Sequence, residues 1–220
     1  MMHGRRYRHV DGLLREHAEK RGAIHERLAE FRALWREPDE RLFEEVAYCI
    51  LAIQTKARAA DAAVRDLKAR GLLLDGEAPA IAAVLRRHVR FHNHKAEYLV
   101  AARERFRPGG TWALKGTLAS LGSPEAARDW LAREVHGVSM KEASHLLRNI
   151  GFSDRLAILD RHVLRNLARH GVIRAVPKSL TPSRYRDIED RWRRFSDAMG
   201  IPLAEMDLVF FSRGVGAILK

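Results

Sequence analysis

Lys141 and Asp160, nineteen positions apart, are the two side chains in this sequence whose types and surroundings point most directly to chemistry. Lys141 lies in Val135-His136-Gly137-Val138-Ser139-Met140-Lys141-Glu142-Ala143. Ser139 and Glu142 form the Ser-x-x-Glu pattern of a capping box, so a helix should start there with Lys141 near its second residue. Unpaired amides and the positive end of the helix dipole gather at such a start. They can hold a phosphate, and they favour the neutral, nucleophilic form of an amine. Asp160 follows the apolar run Ala157-Ile158-Leu159 and precedes Arg161-His162-Val163-Leu164, which carries a helical pattern. It reads as an N-cap worth about 1 kcal/mol. A capping carboxylate that also faces a substrate can stabilise cationic character on a sugar or move protons for an amine. Each residue alone has an ordinary reading, a surface lysine and a cap. Taken together they suggest an enzyme acting on a nucleotide in DNA.

The elements that must position this pair read as helices throughout, with no convincing period-two strand. Leu13, Leu14, Ile24, Leu28, Phe31 and Leu34 form a broken amphipathic pattern over 8–36 that Gly22 is expected to interrupt. Pro38-Asp39 starts a second helix with Leu42, Phe43, Val46, Ile50 and Ile53 on one face. Further helices are expected at 57–69, 77–88 and 93–106. Ser123-Pro124-Glu125 is a strong start, with a capping serine, a proline at the first helical position and an acid at the positive end. Thr181-Pro182 introduces a helix near 184–198 and Pro202 one near 203–212. The expected fold is all-α. Between the helix from Ser123 and the helix from Met140 lies the Gly137-Val138-Ser139 hairpin, whose tight turn suits backbone contact with phosphate.

Composition narrows the partners. The 220 residues carry 40 Lys+Arg against 28 Asp+Glu, a formal charge of +12, which favours a polyanion such as nucleic acid. The single cysteine, Cys49, sits in Val46-Ala47-Tyr48-Cys49-Ile50-Leu51 and reads as a small core residue. One thiol excludes an intrachain disulfide and a four-cysteine zinc or iron–sulfur site. No apolar run approaches a membrane span, and no hydrophobic signal segment follows Met1. A cytoplasmic, nucleoid-associated monomer is the expectation. The run Arg86-Arg87-His88-Val89-Arg90-Phe91-His92-Asn93-His94-Lys95 places seven basic or imidazole groups around one aromatic. It reads as a DNA-facing turn, with Arg90, Asn93, His94 and Lys95 toward phosphates and Phe91 free to stack. Basic residues in 161–174, including His162, could extend that track, whereas 184–194 is interleaved with acids and reads as surface.

The runs Lys141-Glu142-Ala143-Ser144-His145-Leu146-Leu147-Arg148-Asn149-Ile150-Gly151 and Ala157-Ile158-Leu159-Asp160-Arg161-His162 resemble the helix-hairpin-helix DNA glycosylases. Within them the chain is most similar to the archaeal-type 8-oxoguanine DNA glycosylase/AP lyase branch. The resemblance extends to Arg90–Tyr98 and to Ala217-Ile218-Leu219-Lys220, from about residue 40 onward. It implies that Lys141 is a Schiff-base nucleophile and Asp160 a catalytic aspartate. It further implies that Gln54 stands near the gap left by an extruded base, that Phe211 stacks on that base, and that Lys220 helps tell 8-oxoguanine from guanine. Phe211 departs from the branch's frequent tryptophan, and Ser139 stands where the hairpin usually carries a second glycine.

The implied architecture is two helical subdomains with a helix-hairpin-helix motif at about 125–150 and a cleft between the subdomains. One subdomain combines 1–45 with 157–220; the other, a helical barrel, spans 46–156. The implied function is excision of 8-oxoguanine from double-stranded DNA through a Schiff base, then nicking by β-elimination, with no metal or organic cofactor. Two alternatives stay open: a glycosylase of this fold for another oxidised base, and a non-catalytic DNA-binding module.

Overall fold

Apolar residues at three- and four-residue spacing give twelve α-helices over residues 7–215, which the computed structural model describes; among these residues no strand forms. In chain order they are α1 (Val10–Leu34), α2 (Asp39–Ala52), α3 (Ala57–Ala69), α4 (Leu72–Asp75), α5 (Ala78–Leu85) and α6 (His92–Phe106). A 3-10 turn at Pro108–Gly110 follows, then α7 (Leu114–Ser120), α8 (Pro124–Glu134), α9 (Met140–Asn149), α10 (Arg161–Arg169), α11 (Pro182–Met199) and α12 (Leu203–Val215). The all-α expectation holds. Gly22 does not interrupt α1, which runs unbroken for 25 residues. Glycine costs about 1 kcal/mol in a helix, less than the buried face of Leu13, Ile24, Leu28 and Phe31 returns.

The described chain forms two compact units, one spanning Ala33–Phe152 and the other joining the residues up to Arg32 with those from Ser153 onward. Helix α2 is the axis of the Ala33–Phe152 unit. Leu42, Phe43, Val46, Ala47, Cys49, Ile50 and Leu51 are at most 1% exposed, and α3, α6, α7 and α9 pack around them. Such complete burial requires its polar groups to be paired: Asn149 Nδ2 donates to Glu45 Oε2 at 3.2 Å, both side chains being buried. Cys49 is a buried free thiol, as its apolar neighbours imply.

In the other unit, α10 and α11 both pack on α12. Its centre is aromatic. The His170 ring lies 5.5 Å from Phe210 and 5.7 Å from Phe195, nearly parallel to Phe210, and Phe210 stacks in turn on Trp192. Burial pushes His170 down to about 4, so its ring is neutral near pH 7. Arg213 Nη1 donates to its Nε2 at 3.1 Å, which leaves the proton on Nδ1 to be donated to Arg8 O at 2.8 Å.

Candidate active site

The hairpin between α8 and α9 is built from local signals. Ser123 Oγ accepts from Ala126 N at 3.1 Å and starts α8, with Pro124 at the first helical position. After Val135 the chain turns through Gly137 at φ +80°, a left-handed conformation suited to glycine. Space makes the same demand, because a Cβ on Gly137 would lie 2.8 Å from Tyr98 Cδ2 and 3.5 Å from Ile53 Cδ1. Val138 is buried beneath the turn, while His136, Gly137 and Ser139 stay exposed. The backbone of the turn is therefore open to an approaching phosphate.

Ser139 is the N-cap of α9 and forms the capping box with Glu142. The Glu142 carboxylate accepts from the Ser139 backbone N–H at 3.3 Å and from its hydroxyl. Lys141 is thus the second residue of α9, and its side chain is 29% exposed, reachable yet partly enclosed. Its Nζ stands 3.2 Å from Glu142 Oε1. Burial raises the Glu142 carboxyl, but the Lys141 ammonium and the hydrogen bonds from Ser139 and Lys141 outweigh it and hold the group below its ordinary value. One carboxylate therefore serves both the cap and the amine.

Asp160 caps α10. Its Oδ1 accepts from Val163 N at 2.7 Å, and the side chain is half-buried. The preceding run, Leu156–Leu159, is buried and held from α11. Tyr185 Oη donates to Ala157 O at 2.6 Å and accepts from Leu159 N at 3.3 Å; Glu189 Oε1 accepts from Ala157 N at 2.7 Å. Arg184, Arg186, Asp187, Asp190, Arg191 and Arg194 lie at the surface as their charges suggested, but Tyr185 and Glu189 are each 2% exposed, so one face of 184–194 is core. The missed signal is the helical spacing of Tyr185, Ile188, Trp192 and Phe195, which puts one face of α11 in the core.

Beside Asp160, His162 meets the Phe211 ring edge-on at 6.3 Å. Gly214 lets α12 pass close to His162, since a Cβ there would lie 2.3 Å from His162 Nδ1. Phe211 is half-buried. Arg213 anchors this end of α12, donating to Glu16 Oε2 at 2.7 Å and Asn166 Oδ1 at 2.5 Å. Lys220 lies outside the described residues.

The basic run divides. Arg86, Arg87, Arg90, Asn93 and His94 are exposed, and His94 stacks on Tyr98, which stacks on His136 of the hairpin. Phe91 is 52% exposed at φ +58°, with the Arg90 guanidinium 5.6 Å from its ring centre. A positive φ is uncommon for a residue with a side chain, and Phe91 adopts it with its ring exposed. His88 turns away to Asp66 at 3.0 Å. Lys95 departs from the expected phosphate track: it is 3% exposed and points inward, where unpaired carbonyls at the end of α2 need a donor. Gln54, in the turn after α2, is exposed.

A sequence profile described as 8-oxoguanine DNA glycosylase matches residues 24–201. The chain belongs to the 8-oxoguanine DNA glycosylase family. An 8-oxoguanine DNA glycosylase/AP lyase of Fusobacterium nucleatum is 40% identical over 196 residues, covering 89% of this chain and 90% of that protein. The crystal structure of the Methanocaldococcus jannaschii 8-oxoguanine DNA glycosylase matches with a TM-score of 0.86 at 30% identity, over 96% of this chain and 95% of that one. The M. jannaschii 8-oxoguanine glycosylase/lyase in complex with a 15-mer DNA containing 8-oxoguanine matches with a TM-score of 0.84 at 29% identity, over 94% and 99% of the two chains. The likeness to these glycosylases spans nearly the whole chain, and the residues matched by the family profile, 24–201, include the α8–α9 hairpin and the Asp160 segment.

Proposed function

We propose that the protein is a bifunctional DNA glycosylase/AP lyase that excises 8-oxoguanine from double-stranded DNA in base excision repair. The observation that carries the reading is a partly enclosed amine at the second residue of a capped helix, next to an exposed glycine hairpin, in a chain of this family. The hairpin holds the lesion strand through backbone N–H groups, and exposed Arg86, Arg87, Arg90 and His94 add charge toward phosphates. A target base must leave the stack to be reached.

Lys141 first gives up an ammonium proton, and its neutral Nζ then attacks C1′ of the damaged nucleotide. The C1′–N9 bond breaks with its electron pair passing to the departing base, which takes up a proton. Loss of the amine proton and opening of the sugar give an imine between Lys141 and C1′. Removal of a C2′ proton eliminates the 3′ phosphate and nicks the strand. Asp160 stabilises positive character on the sugar as the base leaves and moves protons for the amine. These steps need neither a metal nor an organic cofactor.

Phe211, with His162 at its edge, offers the stacking surface for the base, and Lys220 supplies discrimination against guanine. Oxidation turns N7 from an acceptor into a donor, and a fixed carboxylate or carbonyl oxygen, not the lysine ammonium itself, can accept this hydrogen and discriminate strongly. Among the described residues no helix is long and apolar enough to cross a membrane. The place of action is the cytoplasm, at the nucleoid, in keeping with the +12 charge.

The test is base release and strand nicking measured separately on duplexes carrying 8-oxoguanine, an oxidised pyrimidine or no lesion. Release and nicking confined largely to the 8-oxoguanine duplex is the expected result. Preference for the pyrimidine lesion would make the chain a glycosylase of other specificity. Tight binding without release from any duplex would leave a DNA-binding module.

A further inference from the structure

The buried ammonium of Lys95 has no part in the chemistry above, yet it sits behind one of the strained points in the Ala33–Phe152 unit. Helix α2 ends at Ala52, and its last carbonyls lack intrahelical partners. Lys95, in the first turn of α6, donates to Leu51 O at 2.8 Å, Ile53 O at 2.6 Å and Thr55 Oγ1 at 2.9 Å. Three partners match the three protons of an ammonium, and a cation is well placed at the negative end of a helix. Thr55 Oγ1 donates in turn to Ile53 O at 3.2 Å. Burial lowers Lys95 to about 8, and no carboxylate is among these three partners. An amine desolvated in this way to hold two carbonyls and a hydroxyl is a costly way to end a helix.

What the clamp holds is Gln54. This residue lies between two of the clamped groups at φ +51°, a conformation that side-chain-bearing residues rarely adopt, and its side chain is exposed. Ile53 also packs under the hairpin, 3.5 Å from the position of a Cβ on Gly137. Tyr98, one turn beyond Lys95, limits the same glycine at 2.8 Å. The turn bearing Gln54 and the hairpin preceding Lys141 therefore share one support.

We propose that Lys95 is a positioning residue whose ammonium locks the Ile53–Thr55 turn so that Gln54 is presented, already shaped, to the gap that base extrusion leaves in the duplex. The inference rests on the reading of Gln54 as the gap-facing residue. Its test is a double-mutant cycle of Lys95→Met and Gln54→Ala, read as the single-turnover rate of 8-oxoguanine release at saturating enzyme and normalised to folded, active protein. Each single variant is expected to lose about tenfold to a hundredfold, the scale of a misplaced contact. The double variant is expected to be no slower than the worse single one, because Lys95 acts through Gln54.

Multiplying losses would overturn the inference while leaving Gln54 in its role. A wild-type rate for Gln54→Ala alone would overturn the reading of Gln54, and the inference with it. A purely structural lysine would lower the melting temperature and the active fraction but leave the rate per active molecule unchanged, which also overturns the inference. If Lys95→Met does not fold, Thr55→Val replaces it in the cycle, removing one of the three partners. It is expected to slow release by about threefold and to have no effect when Gln54 is alanine; a threefold loss that persists there would contradict the proposal.

Discussion

Substitution of Asp160 separates a capping role from a chemical one, because asparagine can do the first and alanine can do neither. The Asp160 Oδ1 acceptor lies 2.7 Å from Val163 N, and an asparagine carbonyl oxygen can take the same hydrogen bond. Asp160→Asn then loses only the attraction of a negative charge to the helix start, about 0.3–1 kcal/mol. Asp160→Ala loses that and the cap as well, about 1 kcal/mol more. In a chain of this size each kcal/mol moves Tm by roughly 2–4 °C. Catalysis follows a different order, since both variants lack the carboxylate and both should release 8-oxoguanine about 10²–10⁴-fold more slowly. The assay pairs single-turnover base release with thermal melts on the same preparations. Asp160→Asn should be nearly as stable as wild type and nearly as slow as Asp160→Ala. Base release by Asp160→Asn at a rate close to wild type, with the loss confined to stability, would refute the catalytic assignment.

Three further outcomes follow from the structure. Gly137→Ala must place a side chain at φ +80° and against Tyr98, costing roughly 1–2 kcal/mol for the backbone alone; binding to undamaged duplex should weaken with stability, and unchanged binding would detach the hairpin from DNA. Tyr185→Phe removes the hydroxyl shared by Ala157 O and Leu159 N, costing about 1–3 kcal/mol, and should lower kcat with KM unchanged; loss of stability with normal kcat would make the contact structural only. His170 is neutral in the fold down to about 4 against an ordinary 6.5, so the unfolded chain binds its proton first as pH falls and stability declines across that window. The decline should reach roughly 3 kcal/mol by the lower end, and a His170→Gln variant that melts with the same pH slope would contradict it.

The parts of the site set by local backbone chemistry were legible in the sequence. Ser123, Ser139 with Glu142, and Asp160 each cap the helix their spacing announced, because a cap is decided within four residues. The parts set by tertiary contact were not. Gly22 reads as a break until the buried face of α1 outweighs its propensity. Lys95 reads as a phosphate contact, and only the fold shows the carbonyls at the end of α2 waiting 44 and 42 residues upstream. Tyr185 and Glu189 hide among charges for the same reason, their partners lying near Ala157 in another element.

The central claim is that Lys141 Nζ becomes covalently joined to the sugar of the damaged nucleotide. Borohydride reduction during turnover on an 8-oxoguanine duplex, followed by peptide mapping of the cross-linked protein, tests it directly. The expected result is a stable protein–DNA adduct on the peptide containing Lys141, absent from Lys141→Gln although that variant still binds the duplex. An adduct mapped to another amine, or strand nicking at near wild-type rate by pure Lys141→Gln, would contradict the claim.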